Sequence, residues 1–141
     1  MRRATSLLTV LAVLALAAPA TAAAPNYILV SGPRLAHPVL MADWNENLAL
    51  LSSLVDAPKA RRGVVRGLAQ RPRLRLAEFW GWGDRPRPTR PSQANQHGWF
   101  YPAHQRQPAI VNVMVGGAMV PRLAPAAALR IFVRHRIPIR L

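Results

Sequence analysis

Hydrophobic positions along this chain change their spacing several times, and each change predicts an element. Tyr27-Ile28-Leu29-Val30 is an unbroken apolar run stopped by Ser31-Gly32-Pro33, the pattern of a strand buried on both faces followed by a turn. Val39-Leu40-Met41 predicts a second short extended piece. Asp43 then stands three residues before Glu46, the spacing of a capping box with aspartate as the cap, so a helix should begin there. Trp44, Leu48, Leu51 and Val55 recur at helical spacing, Leu50 and Leu54 widen the stripe, and Asp56-Ala57-Pro58 ends it. Lys59 to Gln70 predicts a second helix with Val64, Val65 and Leu68 on its apolar side, although Gly63 and Gly67 each cost about 1 kcal/mol there relative to alanine.

The period then falls to two. Arg73-Leu74-Arg75-Leu76-Ala77-Glu78-Phe79-Trp80 alternates, which sends Leu74 and Leu76 inward and Arg73 and Arg75 to water. Glu78 falls on the leucine side, where a carboxylate must be paired, hydrogen bonded or protonated. Ala109 to Val115 reads as another buried strand, Gly116-Gly117 as a turn, and Pro125 as the first turn of a helix whose inner side is Leu129, Phe132 and Val133. Ile137, Ile139 and Leu141 alternate with Pro138 and Arg140, which predicts a last strand confined to a sheet edge. Strand, helix, strand in that order argues for a right-handed crossover and a parallel pair. The expected fold is therefore a small single α/β domain with a short mixed or parallel sheet and two main helices.

Residues 81 to 108 interrupt this pattern and read as one long loop, and loops of that length are usually functional or disordered. Arg85-Pro86-Arg87-Pro88-Thr89-Arg90-Pro91 favours extended polyproline geometry, which spaces its guanidinium groups without a core. The following stretch to His104 mixes amides, two histidines and three aromatics, and aromatics argue for order. Trp80, Trp82, Trp99 and Tyr101 offer flat apolar faces, while Arg85, Arg87, Gln93, Asn95, Gln96 and His97 offer hydrogen bonds, a set suited to a polar or anionic ligand. A loop that buries its own aromatics to cover the sheet would have the same composition.

The N-terminus adds an address. Arg2 and Arg3, the apolar run Leu7 to Ala18 and Ala20-Thr21-Ala22 have the three-part layout of a secretory signal peptide over residues 1 to 22, leaving residues 23 to 141 as one domain. A retained anchor is the rival, but a span needs about 20 strongly apolar residues, and Pro19 with the weak Ala/Thr tail favours cleavage, leaving no stable transmembrane span. The expected location is secreted or extracytoplasmic, in the cell envelope. The absence of cysteine excludes disulfides, thiol catalysis and thiolate metal sites.

Charge narrows the partners. The formal net charge is +14, and residues 59 to 90 carry ten bases against Glu78 and Asp84. Such a field attracts an anionic envelope polymer or anionic lipid headgroups; nucleic acid suits the charge but not the exported address. Arginine inflated by base-composition bias and solvated on unrelated faces would give the same total. Candidate catalytic groups are Glu78, as a base raised by burial, and His97. His97 and His104 lie too far apart for common zinc spacings, and no nucleophile elbow, Walker loop or dinucleotide fingerprint is present. No metal site and no cofactor is therefore expected. The sequence reads as a noncatalytic binding module for a polar or anionic ligand or surface polymer, with a small hydrolytic or metal-assisted enzyme using Glu78 and His97 as the alternative.

Overall fold

A computed structural model describes residues 23–141. Its centre is one six-stranded sheet in the order Val39–Met41, Tyr27–Ser31, Leu74–Phe79, Gln96–Tyr101, Ile110–Asn112, Arg122–Leu123. The strands are β1 (Tyr27–Ser31), β2 (Val39–Met41), β3 (Leu74–Phe79), β4 (Gln96–Tyr101), β5 (Ile110–Asn112) and β8 (Arg122–Leu123), with β6 (Met114–Val115) and β7 (Ala118–Met119) forming a separate hairpin. Every pairing in the sheet is antiparallel. Three short α-helices complete the described residues: α1 (Trp44–Val55), α2 (Arg62–Gly67) and α3 (Ala126–Arg134).

This corrects the expected α/β fold with a mixed or parallel sheet and two main helices. The parallel crossover fails for a specific reason: β5 already has β4 on one side and β8 on the other, so no ladder is free for the last residues. Ile137 to Leu141 instead lie beside Ala103 through an isolated bridge, with Ala103 N–H donating to Ile139 O and Leu141 N–H to Ala103 O, both at 2.8 Å. The segment expected to be one loop from 81 to 108 contains β4, an interior strand of the sheet. Lys59 to Gln70 forms only the six-residue α2 and a 3-10 turn over Leu68–Gln70, and Val65 is exposed.

Period-two alternation divides the sheet into two unlike faces. One face carries Ile28, Val30, Leu74, Leu76, Phe100 and Val111 against Leu50, Leu51, Leu54, Ile131 and Phe132 of α1 and α3, forming the main core. Phe100 and Phe132 meet with ring centroids 4.4 Å apart. Gly98 on this face allows the close approach of the chain after β5, since a Cβ there would lie 2.5 Å from Val113 Cγ1. The start of α1 is as expected: Asp43 Oδ1 accepts from Asn45 N–H at 2.8 Å and Glu46 N–H at 3.2 Å. Its buried stripe is rotated, with Asn47, Leu50, Leu51 and Leu54 inside and Trp44 and Val55 exposed. Asn47 earns its inward position by donating Nδ2–H to the carbonyls of Pro25, Asn26 and Met41 at 3.1–3.4 Å, which tie the ends of β1 and β2 to the helix.

Among the described residues no helix is long and apolar enough to cross a membrane. The signal-peptide reading falls on residues 1–22, outside the described residues.

Candidate functional site

The second face of the sheet mixes polar positions with apolar ones. Strand register places Leu40, Leu29, Ala77 and His97 in one row and Ser31, Arg75, Trp99 and Asn112 in the next. Both ends of this face are covered. Leu68, Ala60 and Val64 pack on Tyr101 and Ile110 at one end, while Trp82 and Ala94 pack on Leu29, Ala77 and Phe79 at the other. Between the covers lies an open groove of about 410 Å³ lined by Ser31, Gly32, Pro33, Arg71, Pro72, Arg73, Arg75 and Trp99.

Three arginines and no carboxylate line it. Arg73 is exposed, and its guanidinium carbon lies 3.9 Å from the centroid of the Trp99 ring, a cation–π contact that occupies one face of the indole. Arg71 is only 7% exposed. Its Nη2 donates to the carbonyls of Pro102 at 2.7 Å and Pro108 at 2.8 Å, whereas Nε and Nη1 are buried without a partner. Arg75 Nε is likewise buried and unpartnered. Burial pushes the Arg71 guanidinium below its ordinary value, with Tyr101 acting the other way. His97, on the neighbouring row, is held below the usual histidine value by desolvation and then by the positive charge of Arg75. A neutral imidazole beside fixed guanidinium charges is what such a field selects.

The residues expected from the sequence to bind ligand are divided by this geometry. His97 and Trp99 lie on the open face, and Arg85 and Arg87 are exposed on the loop. Trp82 is buried, meets Phe79 edge-on at 4.9 Å, donates Nε1–H to Pro86 O at 2.8 Å, and carries the Arg85 guanidinium 5.1 Å from its ring. Gln93 Oε1 accepts from Thr89 and Arg90 N–H, and Asn95 brackets the backbone of Trp80 by accepting at 2.9 Å and donating at 2.8 Å. These contacts fold the loop onto the sheet. Tyr101 is buried in the small cluster under α2.

Glu78 and Gln96 form a register pair on the helix side, and Trp80 Nε1–H donates to Glu78 Oε2 at 2.8 Å. Burial pushes the Glu78 carboxyl up to about 7 despite the indole hydrogen bond, which lowers it. A protonated carboxyl has a proton to donate, and the buried Gln96 Oε1 lacks a donor. Glu78 and His97 project from opposite faces of the sheet, because His97 pairs with Ala77. His104 is elsewhere again, with Nδ1 3.0 Å from Leu141 O. Among the described residues no three histidine, aspartate or glutamate side chains gather as a metal site would require.

The sequence reading leaves out Ser31 and includes Arg71, Arg73 and Arg75 only as part of the basic stretch from Lys59 to Arg90, without singling them out. The signal for two of them was present in the alternation around Leu74 and Leu76; what it lacked was the second row of strands that turns the outward side into a groove. Comparison with known protein families, curated proteins and solved structures finds no match to this chain.

Proposed function

We propose that this protein is an exported, noncatalytic module that binds a polyanionic polymer of the cell envelope along the open face of its sheet. The observation that carries the reading is the convergence of Arg71, Arg73 and Arg75 with Trp99 in one groove lined by no carboxylate. Export rests on the leader-like layout of Arg2-Arg3, Leu7 to Ala18 and Ala20-Thr21-Ala22. A positive field steers anions to the groove, and the low exposure of Arg71 makes its charge less screened than one in bulk water. The indole of Trp99 already carries Arg73, so recognition here is led by charge rather than by stacking of an apolar ring.

Binding of the full chain to polyglutamate and to polyphosphate, measured by fluorescence anisotropy, tests this. Affinity should fall at least about tenfold between about 50 and 200 mM salt, as expected when several phosphate-like charges release counterions. The double substitution Arg73→Gln with Arg75→Gln should weaken both polymers by a similar factor while leaving the melting temperature within a few degrees. Salt-independent affinity, or a double variant that binds like the parent, rejects the reading. Binding confined to anionic lipid vesicles would replace the polymer by a membrane surface.

A further inference from the structure

We infer that the floor of the groove is a seat for a doubly charged phosphate group, held by Arg71 and Arg75, so that the anion recognised is a phosphate monoester or phosphate itself. The inference rests on the binding reading above and adds the chemical class. Three buried nitrogens from these two side chains, Arg71 Nε, Arg71 Nη1 and Arg75 Nε, have no acceptor. A buried guanidinium donor left without an acceptor keeps its desolvation penalty uncompensated, so a fold that keeps such donors beside a groove keeps them for something that arrives. A phosphate monoester presents three strong acceptor oxygens and about −1.5 to −2 charge at neutral pH, enough to answer three donors and two guanidinium charges together. One carboxylate has acceptor sites enough for three donors but brings a single charge against two guanidinium charges.

Admission requires one movement. The orphan nitrogens of Arg71 and Arg75 have less than 1 Å² of accessible surface each, so a lining side chain must shift before an anion reaches them. Arg73 is the exposed arginine of the lining, and its guanidinium lies over the Trp99 ring. Displacing it bares one face of the indole, which ties occupancy of the seat to the emission of Trp99.

The full chain is titrated with inorganic phosphate, glycerol phosphate and acetate at fixed ionic strength, with calorimetry and tryptophan emission recorded together. Saturable binding of the phosphates at least about tenfold tighter than acetate is expected, with an emission change that Trp99→Phe abolishes. Arg75→Gln should weaken phosphate by about tenfold or more with its melting temperature retained; Arg71 is left intact because it also holds the Pro102 and Pro108 carbonyls. Equal affinity for the two phosphates identifies the free anion as the recognised species, and tighter glycerol phosphate identifies an esterified one. Either supports the seat. Acetate binding as well as phosphate, or Arg75→Gln leaving phosphate affinity unchanged, overturns it. If phosphate fails to bind while polyglutamate binds with steep salt dependence, the seat is refuted and the polymer reading stands; if both fail, both are refuted.

Discussion

Glu78 shows how a single side chain can set the response of the whole fold to pH. It is 1% exposed, and its carboxyl is raised from the ordinary 4.5 to about 7, chiefly by burial. The folded state therefore keeps its proton across a window in which the unfolded chain has lost it. The stabilisation is fully present below about pH 4.5, falls as pH rises through about 7, and has gone above that. Glu78→Gln should remove this slope, so that between about pH 4.5 and 8 the variant loses about 1–3 kcal/mol less unfolding free energy than the parent. Urea unfolding at several pH values reads this directly, and parallel curves for the two proteins would contradict it. Gly98 gives a second residue-scale test: Gly98→Ala places a methyl 2.5 Å from Val113 Cγ1 and 2.8 Å from Asn112 O, and should lower stability by about 1–3 kcal/mol in the same assay. The inward placement of Glu78 was legible in the alternation of β3. The requirement at Gly98 was not, because it comes from a chain segment far along the sequence.

Elements here are joined by contacts that local patterns describe only in part. Asp43 and Glu46 have capping-box spacing, yet only Asp43 caps; the Glu46 carboxylate reaches α3, accepting from Arg134 at 2.8 Å and meeting His135 Nε2 at 2.6 Å. Glu46→Gln should thus loosen the α1–α3 contact and cost about 0.5–1.5 kcal/mol, read as a lower urea midpoint. No loss would show that the helices are held by Leu50, Leu54 and Phe132 alone. The same lesson applies to the buried stripe of α1. Helical spacing was visible, but its phase was set by β1 and β2, whose end carbonyls call for Asn47 and leave Trp44 outside. β4 was hidden for another reason. In Gln96 to Tyr101 both faces bear aromatics and the apolar alternation is broken by Gly98, so only its neighbours β3 and β5 identify it as a strand.

Taken as one body, the domain buries its main core on one side of the sheet and opens an arginine-lined groove on the other. That asymmetry was half legible: the basic stretch from Lys59 to Arg90 is plain in the sequence, while the antiparallel order that gathers part of it into a groove is a matter of long-range pairing. Backbone amides should record the architecture, because opening costs most where a strand has partners on both sides. Hydrogen exchange should be slowest at Val30, Leu76 and Phe100 in β1, β3 and β4, and fastest in the β6–β7 hairpin and in the loop before β4. Faster exchange in β3 than in the hairpin would mean that the sheet is not the last part to open.

The outermost strands are brief: β2 has three residues and β8 two, with Pro38 and Pro121 directly before them. Each margin thus offers little backbone for another copy to extend. Copies gathered at high local density, as on the polymer proposed above, therefore have little edge by which to zip into fibrils.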